Sequence, residues 1–413
     1  MARKQLDSSE YSRENVGRYH RKVASKGIKK GIILGIVALI VAGLAIGAIA
    51  AIRWYHSLNE RLQDQTIITE DLRAVLSEPP APSDPYYVLL LGTDGRYGEE
   101  DYRADTIILV RVDPPNKRLT LLSIPRDTYV IYKGSEMKIN AAHFYDGPAG
   151  MITAVQDLTG VKISHYAEVN FDGLADITDS LGGVWVDVDM YMYDDENFNH
   201  IVSLEPGYQE LNGEAALFYT RCRHFFDGDY TRMRHQREFV KAIIRQVLDD
   251  PDPMKLVNVV DTCANYVITD LSVSEIISLA GEFRGLDVDN DIYTAYAPSF
   301  GAYLGEVAYV FVSQYQLDEL MEIIDRGDNP AEYMENLEVD YGAATSLPIS
   351  FEPPSEPDYS YVVDTTDTTD TTETTDTTDD TGEYAGDTGY DDGGYEGGGE
   401  TATDEEGGGD YGE

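Results

Sequence analysis

Cysteine, tryptophan and positive charge are scarce in this chain of 413 residues, which contains two cysteines and two tryptophans. Two cysteines are too few for a disulfide framework, and we expect Cys222 and Cys263 to be unpaired buried residues rather than one bridge. Against 75 Asp and Glu there are only 31 Lys and Arg, which gives a formal net charge of −44. Because binding to a nucleic-acid backbone needs a broad basic surface, we expect no nucleic-acid partner.

Two common catalytic patterns are also missing. The chain has no Gly-x-Ser-x-Gly motif of a serine hydrolase. Its seven histidines do not have the spacing of metal ligands. The sequence therefore does not support a serine nucleophile or a histidine-based metal centre, and the chemistry has to be sought among the Asp and Arg residues.

The charges are unevenly distributed along the chain. Residues 1–30 hold nine Lys and Arg with three Asp and Glu, whereas residues 351–413 hold 21 Asp and Glu and no Lys or Arg. This last stretch repeats an acidic residue with Thr-Thr and then becomes rich in Gly and Tyr, so it has no apolar face. We predict an acidic, disordered tail over residues 331–413.

One long apolar run lies near the N-terminus, where residues 31–52 carry no charge. At a rise of ~1.5 Å per residue the run reaches roughly 33 Å, enough for a ~30 Å hydrocarbon core. Lysines precede it closely, so the positive-inside rule places residues 1–30 in the cytoplasm. We predict a single-pass cell-membrane protein with a transmembrane helix at 31–53 and an extracytoplasmic domain.

The remaining chain divides into a connecting segment and a folded domain. Residues 57–76 are polar with spaced apolar positions and predict a helical stalk, which a proline-rich stretch ends. We assign 54–85 to the stalk or linker and 86–330 to the catalytic domain. Strands alternate there with helices, including one over 172–181 capped by Asp172, which predicts an α/β fold with a sheet covered on both faces. Residues 255–328 are expected to add two or three helices and one or two strands.

Three apolar runs begin the domain, at Val88–Leu91, Thr106–Val112 and Leu119–Ile124, and each reads as a buried strand. The turn sequence Pro-Pro-Asn-Lys makes the second and third a hairpin. If the first two are also antiparallel, one sheet edge gathers two carboxylates and two guanidiniums. This combination favours a metal and phosphate site, and surface ion pairs are the alternative. The four residues are Asp94, Arg103, Asp105 and Arg126.

Arginines are concentrated again at a predicted helix end and at the start of the next helix. Arg232 and Gln236 are four residues apart and share a helix face. The nearby helix N-terminus favours phosphate, which the planar guanidinium of arginine binds through two parallel hydrogen bonds. This cluster indicates an anion site, with scattered surface arginines as the alternative. Its members are Arg221, Arg223, Asp229, Arg232 and Gln236.

These motifs resemble the LytR-CpsA-Psr family of bacterial cell-wall ligases. The matching stretches run in order over about residues 86–250, and they include LLLGTD at 89–94, LLSIPRDTYV at 121–130, KINAAHFYDG at 138–147 and GDYTRMRHQREFV at 228–240. The resemblance implies an α/β/α sandwich with a central mixed sheet, preceded by one transmembrane helix. It also implies a hydrophobic pocket for a polyprenyl chain, and transfer of a glycopolymer from undecaprenyl pyrophosphate to peptidoglycan through a phosphodiester.

The resemblance further implies roles for individual residues. Asp94 and Asp105 would bind Mg²⁺ (or Mn²⁺), and Arg126 would take part in the chemistry. The residues implied to contact the pyrophosphate are Arg103, Arg126, Arg221, Arg223, Arg232 and Gln236. Lys138 and Asn140 fall in the family's basic-plus-amide motif near the site, and Asp229 is our own further candidate for contact with the substrate. The chain has His235-Gln236-Arg237 where the family often has Arg-Gln-Gln, although Gln236 keeps its place.

The chemistry of pyrophosphate displacement agrees with such a set of residues. Charge develops on the phosphate oxygens, and a divalent ion together with arginines can neutralise it. Magnesium typically uses one or two carboxylates, with phosphate and water as further ligands. The acceptor hydroxyl needs a base or must lose its proton to bulk water. Asp94, Asp127 and Asp229 are the candidates for the base, and we favour Asp94 as a metal-bound carboxylate. Two other functions stay open: hydrolysis of lipid-linked pyrophosphates alone, and non-enzymatic binding or regulation of envelope polymers.

Overall fold

The computed structural model describes residues 43–64, 67–77, 81, 84–95, 102–194, 202–223, 225, 227, 229–249, 253–344 and 346–353. The basic segment, most of the predicted transmembrane helix and the acidic stretch from residue 354 lie outside the described residues. Within the described ranges, no helix combines the length and the apolar character needed to cross a membrane.

The chain alternates between strands and helices. Its strands are β1 (Tyr86–Thr93), β2 (Ala104–Asp113), β3 (Arg118–Ser123), β4 (Tyr129–Tyr132), β5 (Ser135–Lys138), β6 (Ile163–Asn170), β7 (Val184–Val188), β8 (Met192–Asp194), β9 (Val202–Leu204), β10 (Gly207–Leu211), β11 (Val267–Thr269), β12 (Ile292–Tyr296), β13 (Ser299–Leu304), β14 (Val307–Val312) and β15 (Ile349–Ser350). Its helices are α1 (residues 43–62), α2 (Glu70–Val75), α3 (Ala141–Thr159), α4 (Phe171–Ser180), α5 (Gly213–Arg221), α6 (Asp229–Asp249), α7 (Pro253–Tyr266), α8 (Val273–Glu282), α9 (Val288–Asp291), α10 (Gln314–Asp325) and α11 (Ala331–Glu335).

A six-stranded mixed sheet forms the centre of the fold, in the order β11-β6-β1-β2-β3-β12. Strand β2 is antiparallel to both of its neighbours, β1 and β3, whereas β6 pairs in parallel with β1, and β12 with β3. The three predicted strands and the antiparallel hairpin are therefore confirmed. The turn between β2 and β3 closes with a hydrogen bond from the Lys117 N–H to the Pro114 carbonyl at 3.1 Å.

Successive residues of the central strands face opposite sides of the sheet, so each strand contributes to two cores. On one face, Leu91 and Ile107 pack with residues of α3 and α10 such as Val155 and Leu320. On the other face, the β2 residue Ile108 packs with side chains of α6 and α8. Helices thus cover both faces, and the predicted α/β class with a central mixed sheet is confirmed.

The N-terminal segment differs from the predicted stalk. The helix stops after residue 62, and α2 forms a separate helix whose N-cap Thr69 accepts a hydrogen bond from the Leu72 N–H at 3.2 Å. The apolar residues of this segment are buried against the domain: Leu58 and Leu62 pack on α7 and α8, and Leu72 joins the core beside α3. Burial of these side chains fixes the segment to the domain.

The C-terminal boundary of the predicted tail is also corrected. Residues 331–353 contain α11 and β15, and β15 pairs with β13 through Tyr303 and Leu304. The ring of Tyr341 lies 4.9 Å from that of Phe300, centroid to centroid. This part of the predicted tail is ordered because it has apolar side chains to bury, among them Val339, Leu347 and Ile349.

Three smaller expectations have clear outcomes. Helix α4 begins at Phe171, and Asn170 rather than Asp172 caps it, accepting from the Gly173 N–H at 2.8 Å. Residues 255–328 hold more strands than expected, since β11 to β14 all lie there. Cys222 and Cys263 do not form a disulfide bridge, as expected.

Candidate active site

A β-bulge between β1 and β2 lies where Asp94 and Asp105 meet, at the end of β1 and the start of β2. Gly92 pairs with Thr106 and Thr93 pairs with Ala104, so Asp105 is the additional residue in β2. Such a bulge twists the strand locally and changes the direction of a side chain. Gly92 is needed for this close approach, because a Cβ there would lie 2.9 Å from the Thr106 Cβ.

Asp94 follows β1 directly across from the start of β2. Its Oδ1 accepts a long hydrogen bond of 3.5 Å from the Arg103 N–H. Arg126 follows β3 at the same edge, where its Nη1 donates to Asp105 Oδ1. The structure therefore confirms that Asp94, Arg103, Asp105 and Arg126 gather at one sheet edge, although their chemical roles stay predictions.

The loop that carries Arg126 is held by backbone contacts. The Thr128 hydroxyl donates to the Pro125 carbonyl at 2.6 Å, and the Asn140 N–H donates to the Arg126 carbonyl at 3.2 Å. Burial lowers the pKa of Arg126, but the neighbouring carboxylates, above all Asp105, outweigh that effect and raise it. Its buried Nε has no hydrogen-bond partner among the described groups and lies 3.7 Å from Asp127 Oδ2.

Two further arginines approach Asp105, Arg232 from the first turn of α6 and Arg223 from the segment after α5. Arg232 is buried, and its Nη2 donates to Asp229 Oδ2 at 2.9 Å and lies 3.4 Å from the Asp105 carbonyl oxygen. Arg223 Nη2 lies 4.0 Å from Asp105 Oδ2, and its Nε lies 3.9 Å from Asp229 Oδ1. We call Arg126, Arg223 and Arg232 the arginine cage.

The arginine cage is electrostatically crowded. Burial lowers the pKa of Arg232, and the positive charges of Arg223 and Arg126 lower it further, while Asp229 opposes this. Arg232 Nε is buried without a hydrogen-bond partner among the described groups. A group of guanidiniums in this state favours an anion as an additional ligand.

Two members of the predicted phosphate site, Gln236 and Arg221, contact residues other than Asp105. Gln236 is buried, and its amide Nε2 donates to the Thr220 carbonyl at 3.1 Å. This bond joins the end of α5, where Arg221 is the last residue and Arg223 follows shortly after, to the first turns of α6. The Arg221 guanidinium lies 4.3 Å from the centroid of the Phe171 ring, at the end of β6.

The predicted Lys138 and Asn140 lie next to the Arg126 loop. Lys138 Nζ is 3.0 Å from Asp127 Oδ1, so this lysine neutralises a carboxylate beside Arg126. Asn140 is buried, and its side-chain Oδ1 has no hydrogen-bond partner within the described part of the chain. Both residues are brought to the site, and contact with a substrate stays a prediction for each.

Asp94 and Asp105 are the carboxylates available for a divalent ion. Their oxygen atoms are the donors that magnesium prefers, and two protein carboxylates fit an ion whose other ligands are phosphate and water. No group of three or more His, Cys, Asp or Glu side chains in the described ranges is arranged to hold a metal ion.

Sequence reasoning missed a buried histidine and glutamate beside this edge. His143 Nε2 lies 3.1 Å from Glu168 Oε2, and both side chains are buried. Glu168 belongs to β6 and pairs with Leu91 of β1. The sequence signal for this pair was Glu168 itself, an acidic residue two positions after Tyr166 and therefore on the same, core-facing side of the strand.

Comparisons with known proteins agree with the fold and the motifs. The model of the LytR_cpsA_psr family matches residues 55–326. A polyisoprenyl-teichoic acid–peptidoglycan teichoic acid transferase, TagU of Bacillus anthracis, is 32% identical over 224 residues, which is 53% of this chain and 72% of the relative. The crystal structure of B. subtilis TagV has a TM-score of 0.54 at 28% identity, covering 60% of this chain and 99% of that one. A structure of TagT bound to LI-WTA has a TM-score of 0.51 at 27% identity, and the match covers 61% of this chain and 94% of TagT.

Proposed function

Because the chain belongs to the LytR-CpsA-Psr family, we propose that it transfers a glycopolymer from an undecaprenyl-pyrophosphate carrier to peptidoglycan. The observation that carries this proposal is the arginine cage around Asp105, at the N-terminus of α6. Relatives named as teichoic acid–peptidoglycan transferases support the reaction class.

The arginine cage binds the pyrophosphate in this proposal. The guanidiniums of Arg126 and Arg223 face the Asp105 side chain there, and the buried Arg232, which lies 3.4 Å from the Asp105 backbone carbonyl oxygen, has a lowered pKa. A pyrophosphate would accept hydrogen bonds from the guanidinium nitrogens of this cage, of which Arg126 Nε and Arg232 Nε have no partner among the described groups. Arg103 and Arg221 extend the positive charge along the same sheet edge.

Mg²⁺ is proposed as the cofactor, held by Asp94 and Asp105. When bound, the ion supplies positive charge that stabilises the phosphate oxygens as charge develops on them. Asp105 also pairs with Arg126, so one carboxylate would orient this guanidinium and hold the ion. Asp94 is mainly exposed, which leaves it accessible to an incoming hydroxyl group as well.

The reaction is a displacement at phosphorus. The acceptor hydroxyl oxygen forms a bond to the phosphorus that carries the glycopolymer, and the bond from that phosphorus to the bridging oxygen breaks. The products are a phosphodiester and undecaprenyl phosphate. Asp94 is proposed to accept the hydroxyl proton, and the arginine cage stabilises the leaving phosphate.

We further propose that the protein acts at the outer face of the cell membrane. The apolar run over residues 31–52 and the preceding lysines support a single-pass anchor with a cytoplasmic N-terminus. This arrangement would place the domain beside membrane lipid, where its carrier is located, and facing peptidoglycan.

The test is a transfer assay with a labelled lipid-linked polymer, magnesium and isolated peptidoglycan. Arg126→Ala is expected to lower incorporation of label by about 100-fold or more, because it removes a group that stabilises developing charge. Arg326→Ala is the matched control, since Arg326 is an exposed arginine paired with Asp328. Undiminished transfer in Arg126→Ala would refute the catalytic assignment. Released lipid phosphate without labelled peptidoglycan would show a hydrolase instead.

A further inference from the structure

A cavity of about 1060 Å³ opens beside the candidate active site. It lies on the face of the sheet that α3 covers, at the ends of β1 and β6. The lining includes Thr93 and Gly95, which flank Asp94 in the sequence. Its walls also include residues of α1, the bend in α3 and the end of α7.

A buried pair of side chains, with a tyrosine ring packed on it, is built into the wall of this cavity. Glu168 is 4% exposed and faces His143 Nε2 at 3.1 Å, and the Tyr102 ring lies 4.9 Å from the His143 ring, centroid to centroid. His143 Nδ1 faces the Tyr102 carbonyl oxygen at 3.3 Å. Both ring nitrogens of His143 therefore face oxygen atoms. A buried pair of this kind is held in one orientation.

Local backbone geometry forms the rest of the wall. Helix α3 bends at Asp146 and Gly147, and Gly147 has φ +59°, a conformation that glycine adopts without strain. The bend sets Phe144 and Tyr145 at the rim, where they are 39% and 63% exposed. A Cβ at Gly95 would lie 2.3 Å from the Tyr102 ring, so this glycine lets the ring pack closely.

The cavity is joined to the arginines of the active site. Tyr102 immediately precedes Arg103, and the Arg103 guanidinium lies 5.8 Å from the centroid of the Phe144 ring. Asn170 and Asp172 line the cavity at the end of β6, close to Phe171, which contacts Arg221. A molecule in the cavity would therefore lie next to a pyrophosphate held by these arginines.

We propose that this cavity is a saccharide site. Its lining combines aromatic rings with carboxylates and amides, which are suited to the faces and the hydroxyl groups of a sugar ring. A polyprenyl chain would instead remove water from the carboxylates of Glu60, Asp64 and Asp172, which also line the cavity, and this is unfavourable. The apolar pocket implied by the family resemblance stays a separate prediction.

The inference rests on the proposed transfer reaction and adds to it the place where a sugar of one substrate binds. Saccharide could come from the donor, as the sugar next to the pyrophosphate, or from the peptidoglycan acceptor. Both present hydroxyl groups and ring faces, and the structure supports this shared chemistry. Kinetics with each substrate varied separately distinguish the two sources.

Two variants test the site in the full-length protein. Tyr145→Ala removes an exposed ring from the rim, and Glu168→Gln keeps the shape of the buried side chain while removing its charge. Tyr191→Ala is the matched control, because Tyr191 is 55% exposed and does not line the cavity. Each is assayed for its KM toward lipid-linked polymer, its KM toward peptidoglycan, and binding of the soluble N-acetylglucosamine–N-acetylmuramic acid disaccharide by NMR.

We expect the KM for one of the two substrates to rise, by about three- to ten-fold in Tyr145→Ala and at least about ten-fold in Glu168→Gln. A rise for peptidoglycan, with weaker disaccharide binding, identifies an acceptor site. A rise for lipid-linked polymer identifies a donor-sugar site. Unchanged KM values for both substrates overturn the proposal, as does competition for the cavity by polyprenyl phosphate without a sugar. If Arg126→Ala still abolishes transfer in that case, the proposed function stands and only the saccharide site fails.

Discussion

Replacing Asp105 with asparagine separates the charge of this residue from its shape. Asparagine is nearly isosteric with aspartate, so the bulge between β1 and β2 should stay intact. The change removes the negative charge that faces Arg126 and Arg223, and it weakens one of the two proposed magnesium ligands. The arginine cage would then retain its positive charges without their central counter-ion.

The structure sets the size of the expected effects. The Asp105 and Arg126 side chains are 14% and 23% exposed, so their pair is only partly screened by solvent. Removing one partner of a fully buried pair costs about 3–5 kcal/mol. Arg126 Nε stays 3.7 Å from Asp127 Oδ2, and the new amide oxygen at position 105 can still accept a hydrogen bond. We therefore expect the free energy of unfolding to fall by about 1–2 kcal/mol. The transfer rate should fall by about 100-fold or more, because developing charge is less well stabilised.

Urea unfolding measures the loss of stability, and the transfer assay measures the fall in rate. A magnesium titration of the transfer activity measures the effect on metal binding. We expect Asp105→Asn to need about ten-fold more magnesium for half-maximal activity. Asp127→Asn is the matched control on the same loop, since Asp127 pairs with Arg126 and with Lys138 but has no proposed metal role. The free energy of unfolding of Asp127→Asn should fall by no more than about 1 kcal/mol, and its magnesium requirement should not change.

Three results would refute this reasoning. Asp105→Asn could retain most of the wild-type rate, which would remove Asp105 from the chemistry. Asp127→Asn could lose as much activity as Asp105→Asn, which would mean that any charge beside Arg126 is equally important. An unchanged magnesium requirement in Asp105→Asn would show that this carboxylate acts on Arg126 and does not bind the ion.

Three further predictions concern the neighbourhood of the site. Gln236→Ala leaves the buried Thr220 carbonyl without its donor, so urea unfolding should show a loss of about 1–3 kcal/mol, whereas no loss would mean that the bond is not formed. Burial raises the pKa of Cys263 to about 11, so alkylation of the native protein at pH 8 should be slow until denaturant is added, and fast native labelling would contradict this. Burial lowers the pKa of His235; the unfolded chain then takes up a proton near pH 6.5 that the folded chain does not, so the free energy of unfolding should fall from pH 7.5 to 5.5. His235→Gln should show a shallower fall, and an equal slope in both proteins would show that another group is responsible.

The part of the fold that was predicted from sequence rests on local patterns. Runs such as Val88–Leu91 and Thr106–Val112 are bounded by turn residues, and they form neighbouring strands in the expected direction. Since their ends carry charged residues, the strand directions alone bring Asp94, Asp105 and Arg126 to one edge. Periodicity and turn chemistry act over a few residues, so a single sequence is sufficient to read them.

The features that were not predicted depend on contacts between distant residues. Whether the segment before residue 77 forms a free stalk is decided by Leu58 meeting α7, about two hundred positions away, where Arg61 also pairs with Asp261. The pair of His143 and Glu168 is likewise formed only when α3 covers β6. The bulge at Asp105 is a matter of register between β1 and β2, which no periodicity specifies.

The packing of the N-terminal segment determines where the chain can be cut to produce a soluble fragment. A truncation at the predicted linker, starting at residue 86, would expose the surfaces that Leu58, Leu62 and Leu72 cover. Each of these side chains contributes up to about 1.5–3 kcal/mol through burial, so such a fragment should express poorly or aggregate. It would also lack Glu60 and Asp64, which line the cavity. A fragment for crystallisation or enzymology should therefore begin before Tyr55, with the boundary placed within α1.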